Sequence, residues 1–95
     1  MTDHRILEMS ISRPDFLRRL PAAVGQEAVR EENGRFSGEE GAGRWTLRLV
    51  SLPDRQLARV VLPCHRVEID LEGYDTAEAD AFMARFQRAF QRGGG

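Results

Sequence analysis

RWTLRLVSLPDRQLARVVLPCHRVEIDLE, residues 44–72, alternates between apolar and polar side chains over most of its length. The apolar positions of this alternation are Trp45, Leu47, Leu49, Ala58, Val60, Leu62, Val67, Ile69 and Leu71. A period of two places successive side chains on opposite faces of a β-strand. The stretch therefore predicts strands that share one apolar face and one polar face.

Two proline-containing pairs divide the stretch, and each predicts a turn: Pro53-Asp54 and Pro63-Cys64. The prediction is a meander of three antiparallel strands, in which either loop could be longer by an even number of residues. Two-residue turns would place Arg59 of the middle strand opposite both Arg48 and Glu68. A register slip of one residue would move charged side chains into the core.

A strand over residues 6–12 and a short helix are predicted before this stretch. Ser12 suits an N-cap, with Pro14 in the first helical turn. Pro21 predicts an end, a kink or a restart of the helix, and Gly25 a left-handed stop.

Asn33-Gly34 predicts a tight hairpin, because both central residues of a type I′ turn need positive φ. Its strands are expected at residues 26–32 and 35–37. Residues 38–43 contain three glycines and predict a mobile loop.

The C-terminal helix is predicted from a capping box, in which Asp75 is followed three residues later by Glu78. The apolar residues that recur at helical spacing after it are Ala79, Phe82, Met83, Phe86, Ala89 and Phe90. This stripe is expected to cover the apolar face of the sheet. Residues 93–95 are all glycine and predict a flexible tail.

The predicted fold class is α+β, with a mainly antiparallel sheet in the order β-α-β-β-β-β-β followed by the C-terminal α-helix. Both helices are expected to pack on one face of the sheet. A chain of 95 residues has room for one core, so residues 1–92 are predicted to form a single domain.

Composition limits the classes of partner. The chain is 41% hydrophobic and 31% charged, as in ordinary globular proteins, and its formal net charge is −1. All fourteen basic residues are arginine and are spread along the sequence, which does not favour nucleic acid as a partner.

A single cysteine excludes an internal disulfide and fits a reducing compartment. No stretch approaches the roughly 20 apolar residues of a membrane span, and the first residues lack the apolar run of a signal peptide. The expected location is cytoplasmic, with no membrane partner.

Cys64 and His65 are the only adjacent pair of chemically versatile side chains, and the predicted turn would expose them. A metal site or a nucleophile–base pair is the functional interpretation. Adjacent side chains do not converge on one atom, however, as both kinds of site require. We therefore predict no metal, no cofactor and no catalytic residue.

The predicted register gathers Arg48, Arg59 and Arg66 on the polar face of the sheet. These guanidinium groups could bind a small anion. The simpler interpretation is a ladder of exposed ion pairs with Glu68, Asp70 and Glu72, each contributing little to stability.

The leading expectation is a non-enzymatic interaction or accessory module that binds a protein partner or a second copy of itself. It rests on the lack of a catalytic constellation and on the edges of an open sheet. The alternative is an anion- or ligand-binding domain that uses Arg48, Arg59 and Arg66. An enzyme centred on Cys64 and His65 is the third interpretation.

Overall fold

One antiparallel sheet and two helices form the described part of the chain, residues 2–26 and 29–91 of a computed structural model. The elements in chain order are β1 (Thr2–Met9), α1 (Arg13–Val24), β2 (Arg30–Glu32), β3 (Arg35–Glu40), β4 (Gly43–Leu57), β5 (Val60–Glu72) and α2 (Thr76–Gln91). The five strands lie in the order β1-β5-β4-β3-β2. The predicted α+β class and antiparallel sheet are confirmed.

The predicted three-strand meander is wrong, because residues 43–72 form one long hairpin of two strands. Trp45 lies opposite Leu71, Leu47 opposite Ile69, and so on toward the tip, where Leu57 lies opposite Val60. The turn consists of Ala58 and Arg59. The predicted apolar face holds for Trp45, Leu47, Val67, Ile69 and Leu71, which are buried. Val60 and Leu62 were predicted on that face but lie on the opposite face of β5, and Ala58 lies in the turn.

Pro53 and Asp54 form a bulge instead of a turn. The register shifts between Leu52, opposite Cys64, and Arg55, opposite Leu62, so two residues of β4 face the single residue Pro63. A bulge leaves ladder positions unpaired and tolerates proline, which has no N–H to donate. The proline pairs therefore mark an irregular point in continuous strands.

Helix α1 follows its predicted caps. Ser12 Oγ accepts from the N–H of Asp15 at 3.3 Å, and Gly25 ends the helix with φ of 70°. The N–H of Gln26 donates to the carbonyl of Pro21 at 3.0 Å, the long hydrogen bond of a Schellman motif. Helix α1 continues through Pro21 to Val24, so the proline neither ends nor restarts it.

The hairpin at Asn33-Gly34 is confirmed, with φ of 54° and 78° at the two residues. The mobile loop predicted at 38–43 is wrong. Gly38 lies opposite Trp45 inside the β3–β4 ladder, and the actual turn is residues 41–42. Residues 27–28 of the predicted strand 26–32 lie outside the described part.

The predicted capping box of α2 is present: the N–H of Asp75 donates to Glu78 Oε1 at 2.9 Å, and the N–H of Glu78 donates to Asp75 Oδ1 at 2.8 Å. Four residues of the predicted stripe are buried and the last two are half-buried. The predicted glycine tail, residues 93–95, lies outside the described residues.

A single cluster of buried side chains joins the sheet to both helices. Ring contacts connect Phe16 of α1 with Phe36 of β3, and Phe82 of α2 with Trp45 of β4, both at 6.3 Å between centroids. Packing of both helices on one face stays a prediction, and these contacts favour it. The buried members of the cluster are Phe16, Leu20, Ala23, Val24, Phe36, Trp45, Leu47, Val67, Ile69, Leu71, Ala79, Phe82, Met83 and Phe86.

Candidate functional site

The outer part of the β4–β5 hairpin, residues 53–62, extends beyond the other strands, and we name it the arm. Among the described residues, β1 pairs along β5 only as far as His65, and β3 pairs along β4 only as far as Arg48. The arm therefore has two free edges. Strand β4, with 15 residues, spans roughly 50 Å at ~3.3 Å per residue, which is close to the 46 Å long axis of the molecule.

The tip of the arm exposes apolar side chains. Leu57, Val60 and Val61 are 55%, 55% and 58% exposed. The basic residues Arg55 and Arg59 accompany them, and neither is ion-paired within the described ranges.

A groove of about 650 Å³ lies at the base of the arm, between the end of β1 and the C-terminal end of α2. Its acidic lining residues are Glu8 and Asp15, and Arg19 is basic. We name it the apolar groove after its other main lining residues, which are Leu7, Met9, Ile11, Leu62, Pro63 and Phe90. Leu62 is the last residue of the arm, and Pro63 lies at its base.

Cys64 and His65 do not occupy the exposed turn predicted for them. They lie inside β5, each 8% exposed. As consecutive strand residues their side chains point to opposite faces. Cys64 Sγ lies 3.8 Å from Ser10 Oγ, whereas His65 Nδ1 donates to the carbonyl of Ile11 at 2.8 Å. The structure thus does not bring the two groups together.

Ser51 was missed by sequence reasoning, because it comes next to His65 only through the β4–β5 register. Its Oγ lies 3.4 Å from His65 Nε2, and the Nδ1–H is oriented by a carbonyl. The hydroxyl of Ser51, the ring of His65 and the carbonyl of Ile11 thus follow one another as a nucleophile, a base and an orienting group do in a catalytic site. The distance exceeds the ~2.6–3.2 Å of a working pair, and neither side chain lines the grooves described here. We assign the chain of contacts to fixing β5 against the β1–α1 connection.

The predicted trio of Arg48, Arg59 and Arg66 is not assembled. Because the turn lies at residues 58–59, Arg59 is at the tip of the arm, and it is Arg48 that lies opposite Glu68. Arg66 Nε donates to Glu68 Oε2 at 3.1 Å. Of the three, Arg66 therefore follows the ion-pair interpretation.

Arg48 belongs to a different group of arginines, which sequence reasoning missed because β3 was predicted to be too short. Arg35 lies directly opposite Arg48 across the β3–β4 ladder, and Ser37 lies opposite Thr46. These four residues line a shallow depression of about 600 Å³. We name it the arginine basin; its lining residues are Glu32, Asn33, Arg35, Ser37, Arg44, Thr46 and Arg48.

A second polar cluster connects α1, β3 and α2. Arg85 donates to Glu40 through Nη1 at 2.8 Å and to the carbonyl of Ala23 through Nε at 3.2 Å, and the Tyr74 hydroxyl donates to Glu40 at 3.0 Å. The hydrogen bonds from Arg85 hold the pKa of Glu40 below its usual range. Burial and the neighbouring Glu40 carboxylate raise the pKa of Tyr74. Every partner is supplied within the cluster, so its role is to hold the three elements together.

His4 is part of β1. Its Nδ1 lies 2.6 Å from Asp70 Oδ1 of β5. This hydrogen bond raises the pKa of His4 above 6.5. A raised pKa means that the folded state holds the proton more tightly, so the stabilisation is complete below pH 6.5 and disappears as pH rises through the folded-state pKa.

We predict that Asp70→Asn lowers the pKa of His4 toward 6.5, the ordinary histidine value. The measurement is an NMR titration of the His4 ring carbons. The difference in unfolding midpoint between wild type and variant should also shrink as pH rises above the wild-type titration midpoint. An unchanged His4 titration in Asp70→Asn would show that the pair does not persist in solution.

Comparison with known proteins adds no relative: no family model, no curated protein and no solved structure matches the chain. Within residues 2–26 and 29–91, no helix is long and apolar enough to cross a membrane. The same residues contain no group of three or more metal-ligating side chains.

Proposed function

We propose that the protein is a non-enzymatic interaction module that associates with a second copy of itself through the arm. The carrying observation is the position of its exposed apolar side chains. Among the described residues, the large apolar side chains that are more than half exposed are Ile6, Leu57, Val60 and Val61, and three of these four lie at the tip of one hairpin. Isolated exposed apolar residues are normal, whereas grouped ones are typical of contact surfaces.

A second copy fits the arm because the apolar groove lies at the arm's own base. When two arms lie side by side in antiparallel orientation, the tip of each reaches the base of the other. The same contact is then made twice, as a two-fold axis requires. A stable interface needs about 800 Å² from each protomer, and this arrangement draws on both arm and groove of each.

Charge favours the same pairing. The tip carries Arg55 and Arg59. The groove carries the carboxylate of Glu8, which has no ion-pair partner among the described residues, whereas its other acidic residue, Asp15, is paired with Arg18, and Arg19 is basic. The apolar parts also correspond, since Leu57 and Val60, which are ladder partners on one face of the arm, would meet Met9 and Phe90 in the groove; Val61 lies on the opposite face. The basic tip of one copy is complementary to Glu8 in the groove of the other, which favours association in this orientation.

Val60→Asp is expected to convert a dimer into a monomer. The substitution places a carboxylate in each of two equivalent contacts, and an unpaired buried charge is costly. We expect the dissociation constant to rise at least about 100-fold, equivalent to ~2.7 kcal/mol. The measurement is sedimentation equilibrium, supported by size-exclusion chromatography with light scattering.

Ile6→Asp is the matched control, because Ile6 is 54% exposed but lies on the outer strand β1, away from the arm. It should leave the dimer intact. A wild-type protein that stays monomeric at millimolar concentration would contradict the proposal. Dissociation by Ile6→Asp, but not by Val60→Asp, would move the interface to the β1 edge.

The proposal assigns no catalytic residue and no cofactor. It keeps the cytoplasmic location expected from the lone cysteine, whose thiol a reducing compartment would preserve. The Ser51 and His65 contact, at 3.4 Å, is longer than the ~2.6–3.2 Å of a working pair, and the proposal gives it no catalytic role.

A further inference from the structure

The arginine basin concentrates positive charge in a protein whose formal net charge is −1. Arg35 and Arg48 are directly opposite each other, and Arg44 is four residues from Arg48 on β4. Arg30 of β2 lies opposite Ser37 and so reaches the same face. Like charges directly opposite in a sheet are destabilising. The arrangement lowers stability unless something neutralises it.

Neighbouring carboxylates do not supply that neutralisation. Asp70 is paired with His4 at 2.6 Å and Glu68 with Arg66 at 3.1 Å. Glu32 lies opposite Arg35 and Glu39 opposite Arg44. Within the described part of the chain, however, no ion pair joins any carboxylate to the four arginines Arg30, Arg35, Arg44 and Arg48.

Hydroxyl groups complete the lining. Ser37 and Thr46 lie opposite each other between Arg44 and the Arg35–Arg48 pair, and both are half-buried. Hydroxyl and guanidinium groups together form the usual donor set for phosphate oxygens, and a guanidinium can donate two parallel hydrogen bonds to one phosphate. The basin therefore offers guanidinium and hydroxyl donors on a rigid sheet, with Glu32, Glu39 and Glu68 as the neighbouring carboxylates.

We propose that the arginine basin binds a small molecule that carries two or more phosphate groups. Strand geometry sets the size of the ligand. Arg35 and Arg48 are ~5 Å apart across the ladder, whereas Arg44 and Arg48 are ~13 Å apart along β4 at about 3.3 Å per residue. One phosphate would contact the Arg35–Arg48 pair, and a second would contact Arg44 and Arg30, with the two hydroxyls between them.

A polyphosphate fits better than nucleic acid. Glu32, Glu39 and Glu68 surround the basin, so a long backbone that left it would meet carboxylates. A compact ligand can stay within the arginines. The site is also independent of the proposed self-association, because it lies between β2, β3 and β4 and includes no residue of the arm or the apolar groove.

The test is an ¹⁵N NMR titration with inorganic triphosphate, accompanied by calorimetry at fixed ionic strength. Shifts should be confined to β3, β4 and the 33–34 turn and should saturate. Arg48→Gln should weaken binding at least about tenfold, the loss expected for one charge-assisted contact. Arg88→Gln is the matched control: Arg88 is exposed on α2, outside the basin, and its loss should not change the affinity.

Stability gives a second readout. Without ligand, Arg48→Gln should melt at close to the wild-type temperature, because it removes both the repulsion from Arg35 and the attraction to Glu68, which lie opposite Arg48 on its two sides. Triphosphate should then raise the melting temperature of wild type and not that of the variant. A loss of binding with retained stability separates a lost site from a damaged fold.

The proposal is overturned by any of three results: no saturating shifts at millimolar triphosphate, equal weakening by Arg48→Gln and Arg88→Gln, or tighter binding of a single-stranded oligonucleotide of equal charge. None of these results bears on the dimer, and none of the dimer measurements bears on the basin. Comparing triphosphate with a nucleoside triphosphate would show whether a base adds affinity.

Discussion

Phe86→Ala is expected to lower the free energy of unfolding by about 3–5 kcal/mol. The ring is fully buried and packs against three others, Phe16, Phe82 and Phe90, at centroid distances of 6.5, 6.1 and 4.9 Å. Truncation loses the burial of the ring and leaves a cavity that these rigid neighbours cannot fill. The loss is a large share of the ~5–15 kcal/mol that stabilises a typical domain.

Urea denaturation followed by tryptophan fluorescence would measure the change, because Trp45 lies in the same core. Arg88→Ala is the control on the same helix. Arg88 is exposed, so its loss should change stability by no more than about 0.5 kcal/mol. Equal midpoints for wild type and Phe86→Ala would mean that α2 does not pack on the sheet through this residue.

Local chemistry was sufficient to predict several elements from the sequence. Asp75 and Glu78 predict the start of α2 because the two hydrogen bonds of a capping box involve only neighbouring residues. Asn33-Gly34 predicts its turn because few other pairs adopt positive φ twice. In both cases the physical cause lies within four residues.

Pairing over longer distances was the point at which prediction failed. The pair Pro53-Asp54 is as compatible with a bulge as with a turn. The actual turn uses Ala58 at φ of 55°, an uncommon conformation for a residue with a Cβ. Choosing between the two requires the energy of the whole β4–β5 ladder. The arm, and hence its exposed tip, could not be predicted for that reason.

The wrong strand pairing also explains why the predicted site residues do not lie together. Arg48 was correctly placed on the polar face but was grouped with Arg59 and Arg66, because the pairing of β4 was wrong. Its actual neighbour Arg35 lies on β3, whose length was underestimated owing to Gly38. A side chain's face depends on local alternation, whereas its neighbours depend on register.

Gly38→Ala is expected to destabilise the fold by about 1–3 kcal/mol, the usual cost of overfilling a packed site. Gly38 lies inside the β3–β4 ladder, opposite Trp45. A Cβ at this position would meet Gln26 Oε1, the end of a flexible side chain, and would come within 2.6 Å of Trp45 Cζ2 and 2.7 Å of Cε2. Trp45 is fully buried, so its ring cannot move aside without disturbing the core. The glycine is therefore required by the tryptophan and is not the mark of a loop.

Ser37→Ala provides the control, since it introduces alanine at the next position of the same strand, on the opposite face. It should change the free energy of unfolding by less than about 0.5 kcal/mol. A Gly38→Ala protein as stable as wild type would show that β3 shifts away from β4 at little cost.

A double-mutant cycle identifies the cause of the loss. Trp45→Phe removes the part of the indole that the new Cβ would meet, and it sacrifices no hydrogen bond, because Trp45 Nε1 is buried without a partner among the described residues. We expect Gly38→Ala to cost at least about 1 kcal/mol less in the Trp45→Phe background, a coupling typical of residues in contact. Equal costs in the two backgrounds would show that the close approach of β3 and the tryptophan ring does not cause the loss, and would assign it to the contact with Gln26 Oε1 or to strand propensity.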